Sequence, residues 1–177
     1  MFIGHLGLSY LISQSPRFWN KKLPWKEVIF LVFAGYALDL DLLTTGLNGV
    51  SHHDLATHTP FFALLLGVLF FILLRRYFSK VSLWLIFPIL VGHLVLDEIG
   101  YWFYLLGWQA IISIPQINWF YPFVVSVGTN GLFEFSEVLK SYFFQAPANV
   151  TLEVILIVST AIVFLRNTSI DNRRKND

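Results

Sequence analysis

The chain has 177 residues, of which 56% are hydrophobic, 18% aromatic and only 13% charged, about half the charge of an ordinary soluble domain. Mean hydropathy is +0.65, more apolar content than one small core can hide from water, so the composition reads as an integral membrane protein and argues against a soluble enzyme. The formal charge of +1, from 12 basic and 11 acidic side chains, leaves no field to neutralise the phosphates of a nucleic acid, and the absence of cysteine removes disulfides, thiol nucleophiles and thiolate metal sites.

Apolar stretches run over residues 2–12, 28–47, 60–74, 81–106 and 150–165. The first carries no positive leader and no small-residue cleavage pattern, so it is not read as a removable signal. It falls short of the roughly 20 residues of a perpendicular span and reads as a half-inserted helix packed among the others. The other four reach across with modest thinning of the bilayer. The expected architecture is all-α: an integral membrane bundle of four or five membrane helices forming one domain over residues 1–166, followed by a polar cytoplasmic tail, 167–177, that frays.

Basic residues gather at Arg17, Lys21, Lys22 and Lys26, at Arg75, Arg76 and Lys80, and at Arg166, Arg173, Arg174 and Lys175. If each stretch crosses once, all three groups share a side, and the positive-inside bias makes that side cytoplasmic. Segments 48–59 and 107–149 then face outward. Within the latter, Phe135, Val138, Leu139, Tyr142 and Phe143 fall on one helical stripe after the run Trp119–Phe123. This reads as an aromatic segment at the outer headgroup boundary, or equally as a packed lid helix.

A central Asp in a membrane helix costs on the order of 2.5–3.5 kcal/mol, so several ionisable residues in apolar sequence need a compensating reason. Here His5, His52, His53, His58 and His93 are joined by Asp39, Asp41, Asp54 and Asp97. His5 lies 12 residues before Arg17, Asp39 13 after Lys26, His58 17 before Arg75 and His93 13 after Lys80. At about 1.5 Å per helical residue these become similar heights of roughly 18–25 Å, in the outer half of the membrane. His93 and Asp97, four apart, share a helix face, whereas Glu98 is turned about 100° away, and Pro88 and Gly92 would loosen the helix just before the site. Asp39 and Asp41 would stand about 200° apart on a regular helix, so either the helix unwinds there or only one is a ligand. His53 and His58, with Pro60 suited to a first helical turn, suggest a loop folding over the site, with His52 and Asp54 as neighbouring candidate partners. Imidazole with carboxylate and no sulfur suits Zn²⁺ best, with Mn²⁺ or Fe also compatible, in a site of one to three ions.

Four motifs in this order, His5, Leu38-Asp39-Leu40-Asp41, His53-Asp54-Leu55-Ala56-Thr57-His58-Thr59 and Gly92-His93-Leu94-Val95-Leu96-Asp97, resemble the YdjM-like family of membrane-bound metal-dependent hydrolases. The later Tyr121-Pro122-Phe123 is similar to an aromatic-proline element of that family. The resemblance implies a helical membrane enzyme whose metal is held by His5, Asp39, Asp41, His53, His58, His93 and Asp97. This chain departs from the family in having Leu38 where a proline often precedes the first aspartate, and Asp54 where an arginine often follows the first histidine.

The expected function is hydrolysis of a phosphoester or acyl centre by metal-activated water, with Asp39, Asp41 or Asp97 accepting the proton. The expected substrate is a lipid or lipid-linked phosphate entering sideways from the cell membrane. Three alternatives stand beside it: metal-ion or proton transport, an intramembrane amidohydrolase of the ceramidase kind, and a noncatalytic metal-binding scaffold. Transport would need a polar trail to the cytoplasmic side, and residues 28–34, 63–74 and 81–91 read as apolar. No His-Glu-x-x-His or Gly-x-Ser-x-Gly sequence is present.

Overall fold

The computed structural model describes residues 4–15, 22–41, 56–108, 117, 119, 120, 122 and 147–176, with backbone alone for residue 41 and residues 170–176. Among these the chain is all helical: α1 (Gly4–Gln14), α2 (Trp25–Ala34), α3 (Pro60–Leu74), α4 (Lys80–Leu105) and α5 (Pro147–Asn176). Short 3₁₀ turns at Leu38–Asp41 and Ala56–His58 flank the residues between α2 and α3. The last helix continues to Asn176, through most of the tail expected to fray. His52, His53 and Asp54, and most of the aromatic segment 107–149, lie outside the described residues.

α4 is the hub, packing against α1, α2, α3 and, more lightly, α5, while α1 also lies against α2 and α5. Its start is set by Ser79, whose hydroxyl accepts the Ser82 N–H at 3.2 Å, satisfying a donor that the first helical turn leaves over. Leu83, Ile86, Leu90 and Leu94 follow the three- and four-residue spacing of one face and are essentially sealed from solvent. Glu27, buried at the start of α2, accepts both the Ser79 N–H at 3.1 Å and its hydroxyl at 2.6 Å. That carboxylate joins the starts of α2 and α4.

The helix stays unbroken through Pro88 and Gly92, so the expected loosening before the site is not present. Gly92 serves close packing instead: a Cβ there would stand 2.8 Å from Leu8 of α1. Gly35, the residue after α2, is tighter still, since a Cβ would overlap the Ser9 hydroxyl and approach Ile89 Cγ2 at 3.3 Å. Gly35→Ala should therefore destabilise the chain by about 1–3 kcal/mol, the usual cost of overpacking. Thermal unfolding in detergent checks this, and Ser9→Gly in the same chain should restore much of the loss.

α1 and α5 are tied along their lengths. Glu153 accepts the Gly4 N–H at 3.0 Å, the Thr160 hydroxyl donates to the Gly7 carbonyl at 3.2 Å, and Asn167 donates to Gln14 Oε1 at 3.0 Å.

Among the described residues two helices are long and apolar enough to cross a membrane, Lys80–Leu105 and Pro147–Ser169. At 26 residues α4 measures about 39 Å, against a hydrocarbon core of about 30 Å. α3 is almost wholly apolar but has 15 residues, so length by itself supports two spans of the expected four or five. The stretch 28–47 does not continue as one helix, because α2 ends at Ala34. From there Tyr36, Ala37 and Asp39 each donate to the carbonyl three residues back, which winds the α-helix tightly into the 3₁₀ turn.

Candidate metal centre

Five ionisable side chains from four segments meet beside the middle of α4: His5 from α1, Asp39 from the turn after α2, His58 from the turn before α3, and His93 and Asp97 from α4. Each is positioned by local chemistry. Asp39 reaches inward because the chain tightens after Gly35. His58 is held by Thr59, whose hydroxyl donates to the Ala56 carbonyl at 2.7 Å and accepts the Phe62 N–H at 3.3 Å, fastening the 3₁₀ turn to the first turn of α3. Pro60 then begins the helix where no N–H is needed. His93 and Asp97, one turn apart, project together from α4.

The distances are those of donors around a common point. His93 Nε2 lies 3.3 Å from Asp39 Oδ1 and 3.1 Å from Asp97 Oδ2. His58 Nε2 lies 3.3 Å from the same Asp39 oxygen, and one donor atom from each of Asp39, His58, His93 and Asp97 falls within 4.8 Å of every other. Donors at about 2.0–2.2 Å from a tetrahedral cation stand roughly 3.3–3.6 Å apart, and adjacent octahedral corners about 3 Å apart. The close pairs fit those edges. This buried group could hold a metal ion. Burial is nearly complete, with the His58 and His93 side chains sealed and Asp39 the most open at 15%.

His93 gives the sharpest test of that fit. Its Nδ1 stands 2.7 Å from the Gly35 carbonyl oxygen, which can only accept, so Nδ1 carries the proton. In the neutral ring Nε2 then presents a lone pair toward two carboxylates. It makes no hydrogen bond, and a buried lone pair facing carboxylate oxygens is repulsive unless a cation lies among them or the nitrogen itself takes up a proton. Holding one imidazole nitrogen on a backbone carbonyl while the other is aimed into the site is the usual way a ligand histidine is oriented.

Of the residues proposed from sequence, the structure thus brings His5, Asp39, His58, His93 and Asp97 together. Asp41 shares the 3₁₀ turn with Asp39, but its side chain, like His53, lies outside the described residues. Glu98 is used elsewhere, accepting the Ile117 N–H at 2.8 Å in a buried contact. Sequence reasoning missed the Gly35 carbonyl, Tyr36, whose ring meets His5 edge-on at 6.2 Å, and Glu153, which fastens α1 one residue before His5. A backbone acceptor carries no residue signature. Glu153 could have been found as a lone carboxylate in an apolar run.

No protein-family model, curated protein or solved structure matches the chain. The likeness to the YdjM-like family accordingly stands on the motifs alone.

Proposed function

We propose that this chain is a membrane-embedded, metal-dependent hydrolase of a phosphoester or lipid-linked phosphate, similar in kind to the YdjM-like family, with Zn²⁺ the metal best matched to its donors. The observation that carries this reading is the buried His93 Nε2, aimed without a hydrogen bond between Asp39 and Asp97. Such a cation supplies Lewis-acid activation of water and stabilisation of charge on a phosphoryl or acyl oxygen. The chain's own residues do the rest. Gly35 fixes the His93 tautomer, and Asp39, the most open of the carboxylates at the centre, is the group placed to take a proton. The apolar surface supports a membrane setting: Leu64, Leu65, Leu69, Ile72 and Leu73 on α3, and Val154, Ile155, Val158, Ile162 and Leu165 on α5, are all exposed. With the basic groups on the cytoplasmic side, the site lies toward the outer face.

Purified protein in detergent should cleave members of a panel of phosphodiester and lipid-phosphate substrates. Removing metal with a chelator should lower turnover at least about a hundredfold, about 2.7 kcal/mol of barrier, with recovery on adding Zn²⁺ or Mn²⁺. Turnover that survives complete metal removal would exclude the mechanism.

A second reading, passage of protons or cations, is favoured by one observation. His5, Ser9 and Ser13 form a buried stripe at four-residue intervals on α1, continued by Gln14 and Asn167 to a cleft of about 360 Å³ that Lys22 also lines. The apolar stretches on the other helices hid this trail. Part of it has a packing cause, since Ser9 is the contact that Gly35 admits and the Ser13 hydroxyl turns back onto the Tyr10 carbonyl at 2.6 Å. Sealed vesicles loaded with a pH or zinc dye separate the readings: a hydrolase leaves the dye unchanged.

A further inference from the structure

We infer that the centre holds two divalent cations, the second seated between His5 Nε2 and Asp97 Oδ1, with the Asp97 carboxylate bridging it to the first. This rests on the metal-dependent reading above and deepens it.

The two oxygens of Asp97 face different histidines. Oδ2 lies 3.1 Å from His93 Nε2, and Oδ1 lies 3.1 Å from His5 Nε2. The first oxygen belongs with Asp39, His58 and His93, which already offer a cation four protein donors. The second faces His5 among the described residues. His5 is 3% exposed, and neither of its ring nitrogens makes a hydrogen bond among the described residues. A buried imidazole with both nitrogens unsatisfied costs free energy unless something else engages it. Its Nε2 points to a carboxylate oxygen at ligand-edge distance while failing the alignment of a hydrogen bond, as His93 Nε2 does on the other side.

The rings themselves give the spacing. His5 and His93 are stacked with centroids 3.9 Å apart and planes 20° from parallel. Two near-parallel imidazoles, each with Nε2 toward its own oxygen of one carboxylate, address two points separated by about the stacking distance. Cation pairs in two-metal hydrolytic sites stand about 3.5–4 Å apart. Among the described residues one position thus draws four protein donors and the other two, and a position with fewer protein donors is the one suited to water and a substrate oxygen.

The test is metal stoichiometry and magnetic coupling on the full chain in detergent, loaded with Mn²⁺ and freed of excess. Wild type should hold about two ions per chain with the exchange-coupled electron spin resonance spectrum of a close pair, and His5→Ala about one with the six-line signal of an isolated ion. His5→Phe, which keeps a ring stacked on His93 but offers no donor, should behave as His5→Ala does and guards against a simple loss of fold. One ion in wild type, or two that are uncoupled and unaffected by His5→Phe, overturns the inference and leaves the four-donor site standing. No bound metal in any form overturns both.

Discussion

Replacing Asp97 with alanine should strip the chain of tightly bound divalent metal and, with it, of hydrolytic turnover. Among the described residues Asp97 is the carboxylate whose two oxygens face different histidines, His5 on one and His93 on the other. Outer partners of metal ligands typically cost 10–100-fold in affinity when removed, and a ligand that touches both sides should exceed that, by at least about a hundredfold. Metal content after dialysis against a weak chelator reads the effect directly. Asp97→Asn keeps the shape and one acceptor oxygen but discards the charge, and should fall with the alanine variant. Glu98→Gln is the matching control. Glu98 is one residue further along α4 and equally buried, yet it is spent on the Ile117 N–H, so the amide should leave bound metal unchanged. Undiminished metal in Asp97→Ala would place the bound ions away from this cluster.

Val158→Arg is expected to abolish stable membrane insertion of α5, and the size of that effect tests whether lipid or water surrounds it. Only 11% of the most apolar window of this helix is buried, against 50% for α4, and Val158 is half exposed. An arginine on a water-facing surface usually changes stability by less than about 0.5 kcal/mol. At the centre of a membrane helix it costs about 2.5–3.5 kcal/mol on insertion scales. Carbonate extraction of membranes carrying wild type and Val158→Arg distinguishes the cases: loss of the variant from the membrane fraction fits a lipid-facing helix, while equal behaviour or improved solubility removes the membrane reading.

The composition and the spacing of histidines and aspartates were enough to lead to a helical chain with a polar centre. His93 and Asp97 were legible because four residues is one helical turn, and that relation survives any tertiary arrangement. The coincidence of His5, Asp39 and His58 with them came from depth counted along each stretch, an argument that works when several helices end at a common level. The same count concealed a local error. Asp39 was placed by assuming an unbroken helix from Lys26, whereas the helix ends at Ala34. The choice left open for Asp39 and Asp41 is answered in its backbone half, since the α-helix has given way to a 3₁₀ turn before Asp39. The close approach of Gly35 to Ser9 of another helix, just before that turn, is a tertiary fact that no window of sequence contains. Pro88 misled in the opposite direction. Its missing N–H suggested a looser helix, but α4 has neighbours on several sides and stays regular.

The bonds between the first and last helices join residues 149 to 153 positions apart. α1 also lies against α2 and α4, but its bonds to α5 can close only once that later helix is made. Contacts this distant in the chain form late. The seat of His5 is therefore completed late in folding, whereas Asp39, His58, His93 and Asp97 stand on segments that precede α5 in the chain.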